Sequence, residues 1–154
     1  MNNFYFQQPT EVYFGKGQIS HLGESIKKYT DSILLVYGGG SIKRTGLYDT
    51  VISIFKENGI KYFELSGVEP NPKIDTVRKG AALCKEHKIG GVLAVGGGSS
   101  IDCAKMVACA AKYDGDAWEL VLNNSLIKDA LPIFTVVTLS ATGSEMDHGA
   151  VISN

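Results

Sequence analysis

Two short apolar runs in this chain stop at the same four residues. Val36-Tyr37 gives way to Gly38-Gly39-Gly40-Ser41, Ala94-Val95 gives way to Gly96-Gly97-Gly98-Ser99, and a helical pattern opens after each. A strand that passes through consecutive glycines into a helix leaves backbone N–H groups free at the positive end of the helix dipole, with no side chains barring a ligand. Such a turn holds phosphate. Two of them at the carboxyl ends of strands in one sheet suit a ligand long enough to reach both, and a dinucleotide has that length. Neither turn meets the usual Gly-x-Gly-x-x-Gly spacing, because Lys43 and Ile101 stand where the third glycine belongs. The chain also lacks Gly-x-x-x-x-Gly-Lys-Ser/Thr, and Ser41 and Ser99 lie outside any Gly-x-Ser-x-Gly, which speaks against P-loop hydrolysis and against a serine hydrolase.

The rest of the chain supplies the frame for these turns. Residues 32–37 form an almost uninterrupted apolar run, the kind buried on both faces of a parallel sheet, and 61–65, 91–95 and 131–138 read as further strands. Between them lie helical stripes: Ile19, Leu22, Ile26 and Tyr29; Leu47, Val51, Ile54 and Phe55, closed by Asn58-Gly59; and Ile101, Ala104, Ala108 and Ala111, whose small side chains let helix and sheet approach closely. Asn71-Pro72 reads as the start of another helix, with Asn as cap and a buried stripe of Ile74, Val77, Ala81 and Cys84. Residues 4–6 and 12–17 read as two short strands around Pro9, and one helical turn is expected around Trp118. Strict alternation of strand and helix predicts an α/β fold: a Rossmann-like, doubly wound, mainly parallel sheet with a short N-terminal β-hairpin. All 154 residues fit one dinucleotide-binding domain. The text ends on a last expected strand, Ala150-Val151-Ile152, with no helix after it, and so reads as a piece of a longer enzyme.

Charge and special residues narrow the chemistry. A net charge of -1 without a basic cluster gives no reason to expect nucleic acid or an anionic membrane as partner. No stretch approaches the roughly 20 apolar residues of a membrane span, and Met1-Asn2-Asn3-Phe4-Tyr5 lacks the regions of a signal peptide, so a cytoplasmic protein is expected. Cys84, Cys103 and Cys109 contain no Cys-x-x-Cys and are expected as buried free thiols. His21, His87 and His148 lie far apart, and Asp147 and His148, as neighbours in an extended segment, point to opposite faces, so no metal site is expected within the chain. Asp102, in the first turn of its helix, can complement the dipole or reach a ligand hydroxyl. Thr138, Ser140 and Thr142 follow the fourth strand, where their hydroxyls can reach a cofactor or satisfy a turn.

Four stretches taken in order carry a resemblance. Tyr37-Gly38-Gly39-Gly40-Ser41-Ile42-Lys43, Gly67-Val68-Glu69-Pro70-Asn71-Pro72, Gly96-Gly97-Gly98-Ser99-Ser100-Ile101-Asp102 and Thr138-Leu139-Ser140-Ala141-Thr142-Gly143-Ser144-Glu145-Met146 together resemble the iron-containing (group III) alcohol dehydrogenases, and most of all their butanol dehydrogenase branch. The resemblance implies an amino-terminal nucleotide-binding domain like this one, followed by a helical domain with one Asp and three His that hold iron or zinc; that second domain is absent from this chain. It implies that Gly97, Gly98 and Ser99 meet the pyrophosphate of the cofactor, and that Gly38, Gly39, Gly40, Ser41 and Asn71 line its adenosine side. Thr138 and Thr142 would lie along the cofactor and Asp102 near the nicotinamide. Asp147 departs from the family, where Asn commonly follows Glu-Met.

No catalytic residue and no metal ligand can be carried over, so cofactor binding without turnover is expected of this chain alone. The substrate of the whole enzyme would be a small alcohol or aldehyde of the butanol type. Family members that use NAD tend to carry an acid after the first strand, whereas Gly38 and Gly39 stand here with Ser41, Lys43 and Arg44 nearby, which favours NADP over NAD. Self-association into a homo-oligomer, through the edge near residues 4–14, is expected. Two other readings stay open: a stand-alone nucleotide-binding or flavodoxin-like module without catalysis, and the related glycerol dehydrogenases and sugar-phosphate lyases.

Overall fold

A computed structural model describes residues 3–5 and 7–154. Strands β1 (Ser32–Tyr37), β2 (Lys61–Leu65), β3 (Gly91–Gly96) and β4 (Ile133–Val137) form one parallel sheet in the order β2-β1-β3-β4. Helix α1 (Leu22–Lys27) precedes β1. A one-turn helix α2 (Ser41–Arg44) and then α3 (Leu47–Glu57) connect β1 to β2, α4 (Ile74–Glu86) connects β2 to β3, and α5 (Gly98–Ala110) with the short α6 (Ala117–Leu122) connects β3 to β4.

The two central strands are apolar throughout because both of their faces are covered. Leu34 and Val36 of β1 and Val92 and Ala94 of β3 face α4, α5 and α6, while Ile33, Leu35, Tyr37, Leu93 and Val95 face α1 and α3. Alternate side chains of a strand point to opposite faces, so a doubly covered strand must be apolar at every position. The lateral strands show the converse. Glu64 in β2 and Ile133 and Val137 in β4 are exposed.

Close approach on the α4/α5 face depends on one glycine. A Cβ added at Gly80 would lie 2.7 Å from Val107 Cγ2 and 2.8 Å from Leu65 Cδ2, so α4 has no room there for a side chain. At the exposed end of the same layer Arg78 donates through Nε and Nη2 to both oxygens of Asp116, each at 2.8 Å, and through Nη1 to Asp75 at 2.8 Å. Asp116 in turn caps α6 by accepting from the Trp118 N–H at 2.9 Å.

Three local expectations give way to tertiary context. Residues 3–5 and 7–14 form no strand, and Phe6 lies outside the described residues, so the N-terminal hairpin is not seen. Two short strands without a third partner or a covering layer are marginal in water, and Phe4, Tyr5 and Phe14 remain largely exposed. Asn71 does not cap α4: it adopts a left-handed turn with φ 55°, Pro72 is buried, and the helix begins at Ile74 after Lys73. The expected strand over residues 150–152 is reduced to a single bridge between Lys73 and Ser153, in which the Ile74 N–H donates to the Ser153 carbonyl at 2.8 Å. Pairing with this loop, outside the sheet, satisfies the backbone there. Ala111 caps α5 and is only partly buried, whereas Ile101, Ala104 and Ala108 lie in the core as read from the sequence.

Two outcomes are expected. Gly80→Val destabilises the protein by about 1–3 kcal/mol in denaturant unfolding, because the branched side chain must displace Val107 and Leu65. Burial pushes the thiols of Cys84 and Cys103 up to about 12, so neither reacts with a chromogenic disulfide reagent at neutral pH until the protein is unfolded.

Candidate functional site

The strand order decides where a ligand can sit. The chain moves from β1 outward to β2 on one side and then to β3 on the other, so the connections diverge between β1 and β3 and leave a crevice at their carboxyl ends. Both Gly-Gly-Gly-Ser turns occur there. Tyr37 pairs in register with Val95, so Gly38 and Gly96 leave the sheet side by side. A third segment joins them where Thr138 continues β4 by donating its N–H to the Gly96 carbonyl at 3.0 Å. The stretches 38–41, 97–99 and 138–142 therefore meet along one rim.

The two glycine turns share a text but differ in kind. Gly40 has φ 102°, a conformation that favours glycine, and α2 after it lasts only one turn before the chain bends again at Gly46 with φ 78°. So short a helix adds little dipole of its own. The turn is instead pinned from beneath: the Gly67 N–H donates to the Gly38 carbonyl at 3.1 Å, the Val68 N–H donates to Tyr37 at 3.2 Å, and a Cβ on Gly38 would press on the Val68 carbonyl at 3.3 Å.

The second turn opens a true helix. Gly97 precedes the 13 residues of α5 in extended conformation, φ -92°, ψ -169°, and no side chain caps that end. The dipole of several aligned turns and the uncapped leading amides thus face the crevice together. Added Cβ atoms on Gly97 and Gly98 would meet only Leu139 Cβ at 3.8 Å and Thr142 Oγ1 at 3.9 Å, which is ordinary contact. Neither the backbone angles nor the packing of this chain requires glycine at these two positions. The space they leave lies over the helix amides, and it is a cradle that side chains would fill. Gly96 is different, because a Cβ there would strike Ser100 Oγ at 2.7 Å.

One turn further along, α5 grips the segment that forms the far wall. Asp102 accepts from the Ser144 hydroxyl through Oδ1 at 2.6 Å and from the Val151 N–H through Oδ2 at 3.0 Å. Lys105, on the same face at i+3, donates to Asp147 Oδ1 at 3.0 Å and to the Gly149 carbonyl at 2.7 Å, with only 13% of its side chain exposed. Lys105, foremost, and the Gly149 N–H hold the Asp147 carboxyl below the usual carboxylate range. Asp102, the acid read from the sequence as a dipole complement or nicotinamide contact, also anchors residues 144–151 in this fold.

The predicted residues divide accordingly. Gly97, Gly98 and Ser99 line the cradle; Gly38, Gly39, Gly40 and Ser41 form the neighbouring turn; Ser140 and Thr142 stand exposed on the third segment with Thr138. Asn71 is exposed in the loop that follows the Gly67–Gly38 contact, ahead of α4. Sequence reasoning missed Lys105 and Ser144. The Asp102–Lys105 spacing marked a shared helix face, but nothing local pointed to their partners about 40 residues on. Among the described residues no group of three His, Cys, Asp or Glu side chains is placed to hold a metal ion, and no helix is long and apolar enough to cross a membrane.

A family model described as iron-containing alcohol dehydrogenase matches residues 9–154. The chain belongs to that family. Similar relatives include NADH-dependent butanol dehydrogenase A of Clostridium acetobutylicum, 57% identical over all of this chain and 40% of its own length. The NADPH-dependent aldehyde reductase YqhD of Escherichia coli is 44% identical over 99% of this chain and 40% of its own length. Among solved structures, NADH-dependent butanol dehydrogenase A from Thermotoga maritima superposes with a TM-score of 0.96 at 47% identity, covering 100% of this chain and 39% of that one. The chain thus spans about 40% of the length of the curated relatives it matches.

Asp102→Asn is expected to loosen the far wall, because an amide offers one acceptor where the carboxylate supplies two; faster amide hydrogen exchange at Val151 reports it. Acid should act on the second grip. A carboxyl whose folded pKa is depressed contributes stability above its unfolded value, and this contribution is lost as the pH falls through the folded one. Residues 147–149 should therefore be protected at neutral pH and lose amide protection, taken relative to the intrinsic exchange rate at each pH, below about pH 4, with Lys105→Met removing that acid response.

Proposed function

We propose that this chain is the dinucleotide-binding domain of a metal-dependent NAD(P)H alcohol dehydrogenase acting on small alcohols or aldehydes. The observation that carries the reading is the cradle: glycines 97 and 98 satisfy no need of the fold, and they stand over the uncapped amino terminus of α5 at the switch point of the sheet. In this reading Gly97, Gly98 and Ser99 take the pyrophosphate, which replaces a missing cap with charge-assisted hydrogen bonds from the helix amides. Gly38, Gly39, Gly40, Ser41 and Asn71 take the adenosine half. Thr138, Ser140 and Thr142 lie along the nicotinamide half, on a wall held by Asp102 and Lys105. The nicotinamide, when bound, supplies hydride exchange at its C4 carbon. Domain 1–154 does the binding and orienting, and the iron or zinc site belongs to a helical domain beyond these residues.

The cofactor preference is open on both sides. Ser41, Lys43 and Arg44 follow the first turn with no carboxylate among them, which admits a 2′-phosphate and favours NADP. Relatives named as NADH-dependent share 54–57% identity with this chain, and one named as NADPH-dependent shares 44%. We therefore take NAD and NADP both as ligands. A cytoplasmic homo-oligomer completes the reading. The exposed Phe4, Tyr5, Val12 and Phe14 offer an apolar surface for self-association.

Calorimetric titration with NADPH and NADH tests the proposal. Binding of either cofactor is expected, and Gly98→Asp should abolish it by charge and bulk while the unfolding midpoint changes little. A variant that still binds would remove the cradle from the site. Alcohol-dependent cofactor reduction by the purified 154-residue chain loaded with iron or zinc would contradict the division of labour.

A further inference from the structure

A polar cluster beside the first glycine turn takes no part in the cradle. Tyr37 ends β1, Lys43 lies on α2, Tyr48 lies in the first turn of α3 and Glu64 lies near the end of β2. Both tyrosine hydroxyls donate to the same carboxylate, Tyr37 to Oε2 and Tyr48 to Oε1, each at 2.5 Å. The Lys43 ammonium lies 4.7 Å from the Tyr48 ring centre and 5.4 Å from that of Tyr37. The rings meet edge to face with centroids 5.9 Å apart, and Tyr37 is only 2% exposed. A phenol that donates to a carboxylate gains electron density in its ring, which strengthens the hold of that ring on a cation. Arg44, the next residue, is exposed and makes no side-chain hydrogen bond among the described residues.

The charge states are settled by the same contacts. Burial pushes the Glu64 carboxyl up, but the two phenol hydrogen bonds and Lys43 outweigh it and leave it below its usual range. Burial and the bond to Glu64 push Tyr37 up, and the bond to Glu64 with burial does the same for Tyr48, so both phenols keep their protons at neutral pH. The Lys43 ammonium thus rests over two rings whose hydroxyls are both bound to one ionised carboxylate.

We propose that Glu64 is a specificity-determining residue: through Tyr37 and Tyr48 it holds and neutralises Lys43, and so removes the attraction that the adenosine end of the site would otherwise exert on a 2′-phosphate. Arg44 is left as the cation open to that group, which keeps NADPH admissible without making it preferred. This rests on the dinucleotide reading above. It differs from the sequence-based expectation in assigning Lys43 to the protein and not to the cofactor.

The test measures dissociation constants of NADH and NADPH, by calorimetry, for the wild-type protein, Glu64→Gln, Lys43→Met and the double variant. Glu64→Gln keeps the shape and removes the charge, so NADPH affinity should rise about three- to tenfold while NADH changes less than about twofold. Lys43→Met, at an exposed position, should leave the NADPH to NADH ratio of the wild type within about twofold. The double variant should lose the gain of the single one, which places the effect on Lys43. If Glu64→Gln moves both cofactors equally or neither, Glu64 only supports the tyrosines and the proposal falls. If Lys43→Met costs about tenfold in NADPH affinity, Lys43 already serves the phosphate and the proposal also falls, even should Glu64→Gln fail to fold. Wild-type protein that binds neither cofactor would instead refute the dinucleotide reading.

Discussion

Burial of β1 and β3 on both faces is the constraint from which the rest of the molecule follows. Each strand places alternate residues into separate cores, one with α1 and α3 and one with α4, α5 and α6. That arrangement forces the two strands to be neighbours, because only the centre of the sheet is covered twice. Neighbouring strands in register then deliver both glycine turns to adjacent places at one rim. Position here is first a by-product of hydrophobic burial: the two buried cores bring the segments of the candidate site to one rim, and a few contacts such as Thr138 N–H to the Gly96 carbonyl then fix them.

Identical glycine text serves two purposes within this chain. At Gly40 the backbone angle favours glycine, and at Gly96 the neighbouring Ser100 excludes a Cβ. At Gly97 and Gly98 neither reason applies. Glycines that the fold does not need, over amides that nothing caps, carry the functional reading further than the count of glycines does. The far wall of the crevice has the opposite logic: Asp102 and Lys105 each satisfy two groups on residues 144–151, so charge on α5 fixes a segment whose own sequence would leave it loose.

Much of the fold was legible along the chain. The strand at residues 32–37, the second at 61–65 and the stripe Ile74, Val77, Ala81 and Cys84 appear where the apolar pattern put them, and a short helix stands at Trp118, where one helical turn is expected. The failures fall where a local signal met a nonlocal competitor. Asn71-Pro72 carries a helix-start signal, yet Pro72 and Lys73 are engaged by Ser153, so Asn71 turns with positive φ and α4 begins later. The apolar run at residues 150–152 had the text of a strand, but the segment pairs with a loop through a single bridge. The aromatic text of residues 4–14 likewise found no strand to pair with among the described residues.

Sequence alone determined most of the strands and helices, that the sheet is parallel and doubly wound, and that each glycine turn follows a central strand. These depend on neighbours three or four residues away, or on the two-residue alternation of a strand, and such distances are written in the text. Tertiary structure alone decided that the second turn is the helical cradle while the first is a pinned bend, that Asp102 and Lys105 anchor the wall, and that Tyr37 and Tyr48 share the Glu64 carboxylate. Each of those rests on partners about 20 to 50 residues apart in the chain, where a carboxylate or an ammonium finds its complement only after the two cores have formed.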